Sequence, residues 1–263
     1  ATTEIYTRSL VGRVRCVYET VIASPTEFHY DHILLATQAG KHIFCEKPID
    51  LSYEKVQTVK ATVESAGIHF MVGFNRRFDP HIQELKAAID QGKAGSPRIV
   101  KITSRDPSPP SLEFIKHSGG LFLDMAIHDF DMARYLVGDE VVQVSSTGNI
   151  FGDLPLAQFD DIDTAVTTLI FKKGCMVQID NSRYSSYGYD QRLEVFGQNG
   201  KVATQNILEN TVETSDASGH HTARSKLFFI ERYADSYRNI LMDFVATLKN
   251  KQAPSISVKD GLA

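Results

Sequence analysis

Lys47 stands between Glu46 and Pro48, after the apolar run Lys41 to Cys45. A lysine at a partly desolvated position can lose affinity for its proton and act as a general acid or base. The adjacent proline fixes the local backbone and helps to aim the side chain. A solvated surface lysine fits the same local sequence. Further on, Asp124 and His128 are four residues apart in a segment that reads as a helix from Gly120 to Val137. On a helix that spacing places both on one face, and Asp131 and Tyr135 continue the same stripe. Most of the segment is otherwise apolar, so the helix is expected to be buried and its polar stripe to need partners. An imidazole beside a carboxylate can move a proton near neutral pH. The same residues also fit a satisfied core pair or, with His117, a metal site, although no HxH, HExxH or cysteine pair accompanies them. Tyr187, Tyr189, Asp190 and Gln191 precede a candidate strand and could line a polyol site or simply flank the strand. His220 and His221 lie in a polar stretch and read as solvated surface.

These residues must be held by elements, and the first seventy residues predict them clearly. Glu19 to Ala23 reads as a buried strand. Ser24-Pro25-Thr26 breaks it, with Thr26 able to cap a helix over Glu27 to Ala39 whose apolar face carries Phe28, His32, Leu35 and Ala39. Gly40 stops that helix. Lys41 to Cys45 is a second strand. Ser52 opens a helix to Ala66, and Ile68 to Phe74 is a third strand. Such alternation predicts a parallel sheet covered by helices, with ligands outside the carboxyl ends of its strands. Ser24-Pro25-Thr26, Glu46-Lys47-Pro48 and Asn75-Arg76-Arg77 should therefore share one rim.

From residue 75 the pattern changes. A helix over Asp79 to Gly92 and a strand over Pro97 to Ser104 precede the Pro-rich stretch Asp106 to Ser111 and the helix to Val137. Candidate strands follow at 141–147, 163–172, 175–184, 192–196 and 201–205, two pairs of them joined by Gly-containing turns. A polar surface loop or edge at 209–224 leads to a long amphipathic helix at 229–250, with Tyr233, Tyr237, Leu241, Phe244 and Leu248 near one face. Strands without intervening helices predict a mainly antiparallel sheet. The expected fold class is α/β: a Rossmann-like piece over residues 1–74, then an α+β domain over 75–263 with a large open sheet.

Composition narrows the function. The chain has 263 residues, and Lys plus Arg (28) minus Asp plus Glu (32) gives −4. That leaves no basic excess to hold a nucleic-acid backbone or an anionic membrane surface. No apolar run approaches the roughly 20 residues that span a bilayer. The three cysteines, Cys16, Cys45 and Cys175, are unpaired by spacing and read as reduced thiols of an intracellular, cytoplasmic protein.

The segments VIASPTEFHYDH, GKHIFCEKPI, VGFNRRFDP, GGLFLDMAIHDFDMARYLVG and YGYDQRLEVFG, in this order, resemble the Gfo/Idh/MocA family of NAD(P)-dependent oxidoreductases, most of all its inositol 2-dehydrogenase branch. The resemblance runs from about residue 19 to the end. It implies a Rossmann domain followed by a substrate and oligomerisation domain, NAD as cofactor (NADP being possible), a cyclic polyol or sugar as substrate with myo-inositol favoured, and a homo-oligomer, dimer or tetramer. By the same resemblance Lys47 orients the substrate and assists proton transfer, His128 takes the hydroxyl proton, and Asp124 holds the substrate and supports the base. Asn75 and Arg76 stand beside substrate and nicotinamide. Asp106 and Tyr189 contact the polyol. Ser24, Pro25, Thr26 and Glu46 lie along the cofactor, together with Lys47. No metal is implied. The first βαβ unit of such a domain, with its GxGxxG phosphate loop, has no counterpart in the sequence. The chain is therefore expected to be a piece of a longer dehydrogenase. The alternative is a cofactor-less module that binds polyol and assembles.

Overall fold

The computed structural model describes residues 19–263; Cys16 lies outside them. Three short strands, β1 (Glu19–Ile22), β2 (His42–Cys45) and β3 (Phe70–Val72), form a parallel sheet in that order. Helix α1 (His29–Gln38) connects β1 to β2, and α2 (Tyr53–Ala66) connects β2 to β3. The second helix follows its sequence signals. Ser52 caps it by accepting from the Lys55 amide, Val56, Val59 and Val63 are buried, and Gly67 closes it in the left-handed conformation at φ 65°.

The first helix departs from expectation in two ways. Thr26 makes no side-chain cap; residues 26–28 form a 3₁₀ turn that runs into α1. The buried stripe is His29, Ile33 and Thr37, while Phe28 and Leu35 are exposed. The extra 3₁₀ turn rotates the helix, so the polar His29 rather than the neighbouring phenylalanine faces inward.

After a 3₁₀ turn over Asn75–Phe78, α3 (Pro80–Asp90) is capped by Asp79, which accepts from the His81 and Ile82 amides. Then come β4 (Pro97–Arg105), α4 (Leu112–Ser118) and α5 (Ile127–Val137). Strands β5 (Val141–Asn149), β6 (Thr164–Phe171), β7 (Met176–Ser182), β8 (Asp190–Gly197) and β9 (Lys201–Thr204) complete a six-stranded sheet of order β5-β6-β7-β4-β8-β9. Only the central β4–β7 pair in it is parallel. One face is covered by α3 and α5. Ile82, Leu85, Met132, Ala133 and Leu136 pack there on Val100, Ile102, Val177, Ile179 and Val195. The polar stretch near 209–224 forms an exposed hairpin, β10 (Glu213–Asp216) and β11 (Gly219–Thr222).

The final long helix is broken at Tyr233 into α6 (Phe229–Arg232) and α7 (Ala234–Asn250). Its buried stripe holds Tyr233, Ser236, Ile240, Phe244 and Thr247, and Leu241 is exposed. Helix α8 (Val258–Leu262) ends the chain. The fold separates into two compact units. One contains the described residues up to Gly73 with Ala246–Ala263; the other is Phe74–Val245. The C-terminal segment, expected with the second piece, packs on the first because Gly261 lets α8 approach: a Cβ there would fall 2.5 Å from Ile49 Cδ1.

Candidate active site

In the first unit the parallel register puts the carboxyl ends of all three strands on one side. The ladder runs one step past each strand end: the Glu46 amide donates to the Ile22 carbonyl (2.9 Å), and the Gly73 amide donates to the Cys45 carbonyl (2.8 Å). Ser24-Pro25-Thr26, Glu46-Lys47-Pro48 and Gly73 thus line one rim, the ligand-binding rim of such sheets; Asn75-Arg76-Arg77, expected as its third segment, instead form a 3₁₀ turn of the second unit, tied to Ser236, Asp129 and Asp131. Gly73 is required there, because a Cβ would lie 2.7 Å from Glu46 Oε2. Burial pushes the Glu46 carboxyl up, against the pull of the neighbouring Lys47 ammonium. Two neutral hydroxyls, and one lysine beside one carboxyl, leave the rim without net negative charge. That fits a dinucleotide, whose pyrophosphate is anionic.

In the second unit the helix expected from Gly120 is two structures. Residues Leu121–Ala126 form a π-helical turn and α5 begins at Ile127. π-turns are rare and often found at functional sites. This one is anchored at its start by Asp161, whose Oδ1 accepts from the Leu121 amide at 2.7 Å. The turn carries Asp124, which receives a hydrogen bond from Arg183 Nη1 at 3.3 Å. Arg183 is fully buried, and its other end faces Asp161 at 4.0 Å. His128 follows in the first turn of α5, half-buried, its ring edge toward Phe74 with centroids 6.3 Å apart.

Next to it, Asp129 is wholly buried. Its Oδ1 accepts from Arg76 Nη1 at 2.6 Å and its Oδ2 from Asn181 Nδ2 at 2.7 Å. Arg76 also reaches the Tyr189 hydroxyl at 3.5 Å and lies over the ring of Tyr233. Burial pushes both phenols up. Asp106 belongs to the same cluster. Desolvation raises its carboxyl to about 6, while Arg76 and Arg183 pull it down and Asp124 and Asp129 push it up. Asn75 is buried and donates to the Ser236 hydroxyl at 3.0 Å.

Asp106, Asp124, Arg76 and Tyr189 are therefore brought into one charged cluster. The polar stripe predicted on the helix is split: Asp131 accepts from Arg77 Nε at 3.0 Å and Tyr135 sits under the same guanidinium, both away from Asp124. Tyr187 donates to Asp190 at 2.6 Å and accepts from Arg105 at 2.9 Å, a strand-end brace. His117 and His220 are exposed, each facing a glutamate at 3.7 Å. No group of three or more His, Cys, Asp or Glu among the described residues could hold a metal ion. Asp129 and Arg183 are the components that motif spacing misses. Asp129 lies three and four residues before the buried Met132 and Ala133, so a charge on the buried face of α5 was the available signal.

A family model described as "Oxidoreductase family, NAD-binding Rossmann fold" matches residues 11–74, and one described as "GFO/IDH/MocA C-terminal domain" matches residues 82–203. A myo-inositol 2-dehydrogenase of Thermotoga maritima is 44% identical over 241 residues, 92% of this chain and 72% of the relative. A crystal structure of a probable dehydrogenase from the same organism superposes with a TM-score of 0.93 at 41% identity, covering all of this chain and 77% of that one. The scyllo-inositol dehydrogenase of Lactobacillus casei, solved with bound NAD(H) and scyllo-inositol, superposes at 0.85 with 31% identity over 94% of this chain and 74% of that one. The rim, the charged cluster and these likenesses converge: the chain belongs to the GFO/IDH/MocA family of oxidoreductases, whose nucleotide-binding domain takes NAD.

Proposed function

We propose that the protein oxidises a secondary hydroxyl of a cyclic polyol, with myo-inositol as the favoured substrate. The observation that carries this reading is the second unit's cluster, in which Asp106, Asp124 and Arg183 gather beside the helix turn that bears His128. Its carboxylates and hydroxyl suit a ligand made of alcohol groups, since each can accept or donate to a ring hydroxyl. NAD, when bound, supplies the acceptor into which the carbinol hydride departs. His128 takes the hydroxyl proton as the carbonyl forms, which balances the loss of hydride and proton from the substrate. Asp124, steadied by Arg183, holds a neighbouring hydroxyl and supports the imidazolium. Lys47 is assigned to the reacting oxygen by family resemblance. Asn75 and Arg76 shape the floor, with Arg76 acting through Asp129 and Tyr189, and Ser24, Pro25, Thr26 and Glu46 border the dinucleotide. Position and proton handling are the protein's share of the catalysis.

The cofactor-less alternative gains nothing from the comparisons, whose named relatives are dehydrogenases. Substrate choice is tested by following NADH formation with myo-inositol, scyllo-inositol and glucose. Turnover of glucose alone would overturn the inositol reading.

We also infer that a second copy of this chain covers the open sheet face. Ile170, Met176, Ile99 and Phe196 form a row across β6, β7, β4 and β8 by their register, and Met176 and Phe196 are exposed. Charges of both signs flank the row, with Lys101 and Lys201 near Glu194 and Arg105 on Asp180, so the face is complementary to itself. Light scattering should give a multiple of 29.3 kDa, reduced by Met176→Lys. A monomeric wild type would refute it. Among the described residues no helix is long and apolar enough to cross a membrane, and a cytoplasmic location remains the reading from the reduced, buried Cys45 and Cys175.

A further inference from the structure

His29 is the first residue of α1 and is 1% exposed. Its Nδ1 lies 2.8 Å from the Pro48 carbonyl oxygen and its Nε2 lies 2.8 Å from the Ser24 carbonyl oxygen. Carbonyl oxygens only accept, so the ring is the donor available between these two carbonyls. The two acceptors belong to the two rim loops that follow β1 and β2. Each loop contains a proline, Pro25 or Pro48, and so lacks one of the amide N–H groups that could otherwise tie it down. Ser24 is held a second time, since its hydroxyl lies 3.1 Å from Nδ1 of His32, one turn further along α1.

We propose that His29 is a positioning residue: an imidazole that bridges the Ser24-Pro25 loop and the Lys47-Pro48 loop and thereby fixes where Lys47 stands. The role of Lys47 is taken from the proposed dehydrogenase reading; the clamp is a property of the first unit alone. Loss of the imidazole would take its donor from between the two carbonyls and free the backbone on which Lys47 is mounted. A displacement of about 1 Å at such a residue can cost on the order of 100-fold in rate.

Two measurements test this. The first is amide hydrogen exchange of the full chain at neutral pH. The amides of Thr26 and Glu46, in the two bridged loops, should exchange at least about tenfold faster in His29→Phe than in the wild type. Unchanged exchange in a folded His29→Phe would overturn the clamp. The second is kinetic, with NAD and myo-inositol and with rates expressed per folded molecule. His29→Phe keeps the ring volume and should lower kcat about 100-fold while KM for NAD and myo-inositol stay within about threefold, the split expected when an aligned group is lost rather than binding. A folded His29→Phe with wild-type kcat would overturn the positioning role. Lys47→Met separates the two readings. If it turns over normally, the role of Lys47 fails while the hydrogen exchange of the two loops still decides the clamp. Should His29→Phe not fold, His29→Gln offers a second route: its amide can donate to one of the two carbonyls, so kcat and loop exchange should fall between wild type and complete loss, and wild-type values for both would overturn the clamp.

Discussion

Arg76 and Asp129 form an ion pair at 2.6 Å, with neither side chain more than slightly accessible to water. Burial pushes the Asp129 carboxyl up, and Arg76, Asn181 and Ser104 pull it back. Burying two charges is costly, and the pair offsets that cost only while both partners and their further hydrogen bonds are present. The 3₁₀ turn after β3 is thereby locked to the helix that carries His128.

Removing one partner should therefore be severe. Asp129→Ala leaves the Arg76 charge buried without its carboxylate and should cost about 3–5 kcal/mol of stability. Urea unfolding of the wild type and variant gives this directly. A loss below about 1 kcal/mol would show that Arg76 finds another partner or water, and that the pair is not what joins the turn to the helix.

His128 should behave in the opposite way. It is half-buried, and its proposed task is proton transfer, an effect typically worth about 10²–10⁴ in rate. His128→Ala should lose that much of kcat with a melting temperature close to that of the wild type. A large fall in stability with turnover per folded molecule preserved would return His128 to a packing role.

Asp106 makes stability depend on pH. Its folded value of about 6 lies above the ordinary carboxylate value near 3.9. Between about pH 4 and pH 6 the folded protein keeps a proton that the unfolded chain has released, so the stability contributed by this group falls as pH rises through that window. Above pH 6 the cost is fully present; below pH 4 it is absent. Asp106→Asn should therefore melt a few degrees above the wild type at pH 7.5, and the gain should vanish by about pH 4. A variant less stable than the wild type at pH 7.5 would mean that attraction to Arg76 and Arg183 outweighs desolvation.

The parts that the sequence announces are those governed by local rules. The Ser52 cap, the Gly67 stop, the valine stripe between them and the hairpin strands all follow from propensity and period. Two of the three expected rim segments, Ser24-Pro25-Thr26 and Glu46-Lys47-Pro48, follow from the order of elements alone, while Asn75-Arg76-Arg77 are held in the second unit. What escapes is set by tertiary context. The 3₁₀ turn over Thr26–Phe28 turns α1 so that His29 and not Phe28 is buried. The π-turn at Leu121–Ala126 breaks the single-helix pattern, and the periodicity of an uninterrupted helix gives no sign of it. Arg183 lies some sixty residues from Asp124 in the chain, a pairing that no local spacing encodes.

Two glycines of positive φ isolate the contribution of the π-turn. Gly138, at φ 65° and ψ 38°, is left-handed, and alanine there is strained by roughly 1 kcal/mol; Gly120, at φ 76° and ψ −172°, lies in a region that glycine alone tolerates, at about 1–3 kcal/mol for alanine. Their surroundings differ. A Cβ at Gly138 meets nothing within 4 Å, whereas one at Gly120 would fall 2.6 Å from Asp161 Oδ1, the oxygen that anchors the Leu121 amide. Gly138→Ala should therefore cost about 1 kcal/mol and leave kcat unchanged. Gly120→Ala should cost more, about 2–4 kcal/mol, because it must also move Asp161 from beneath the turn. Displacing the turn shifts Asp124 away from Arg183, so kcat should fall at least about tenfold in the molecules that remain folded. Chemical denaturation and turnover, measured on both variants together, check this. Equal losses of stability and equal rates would show that Asp161 does not hold the turn in place and that Asp124 keeps its position by other means.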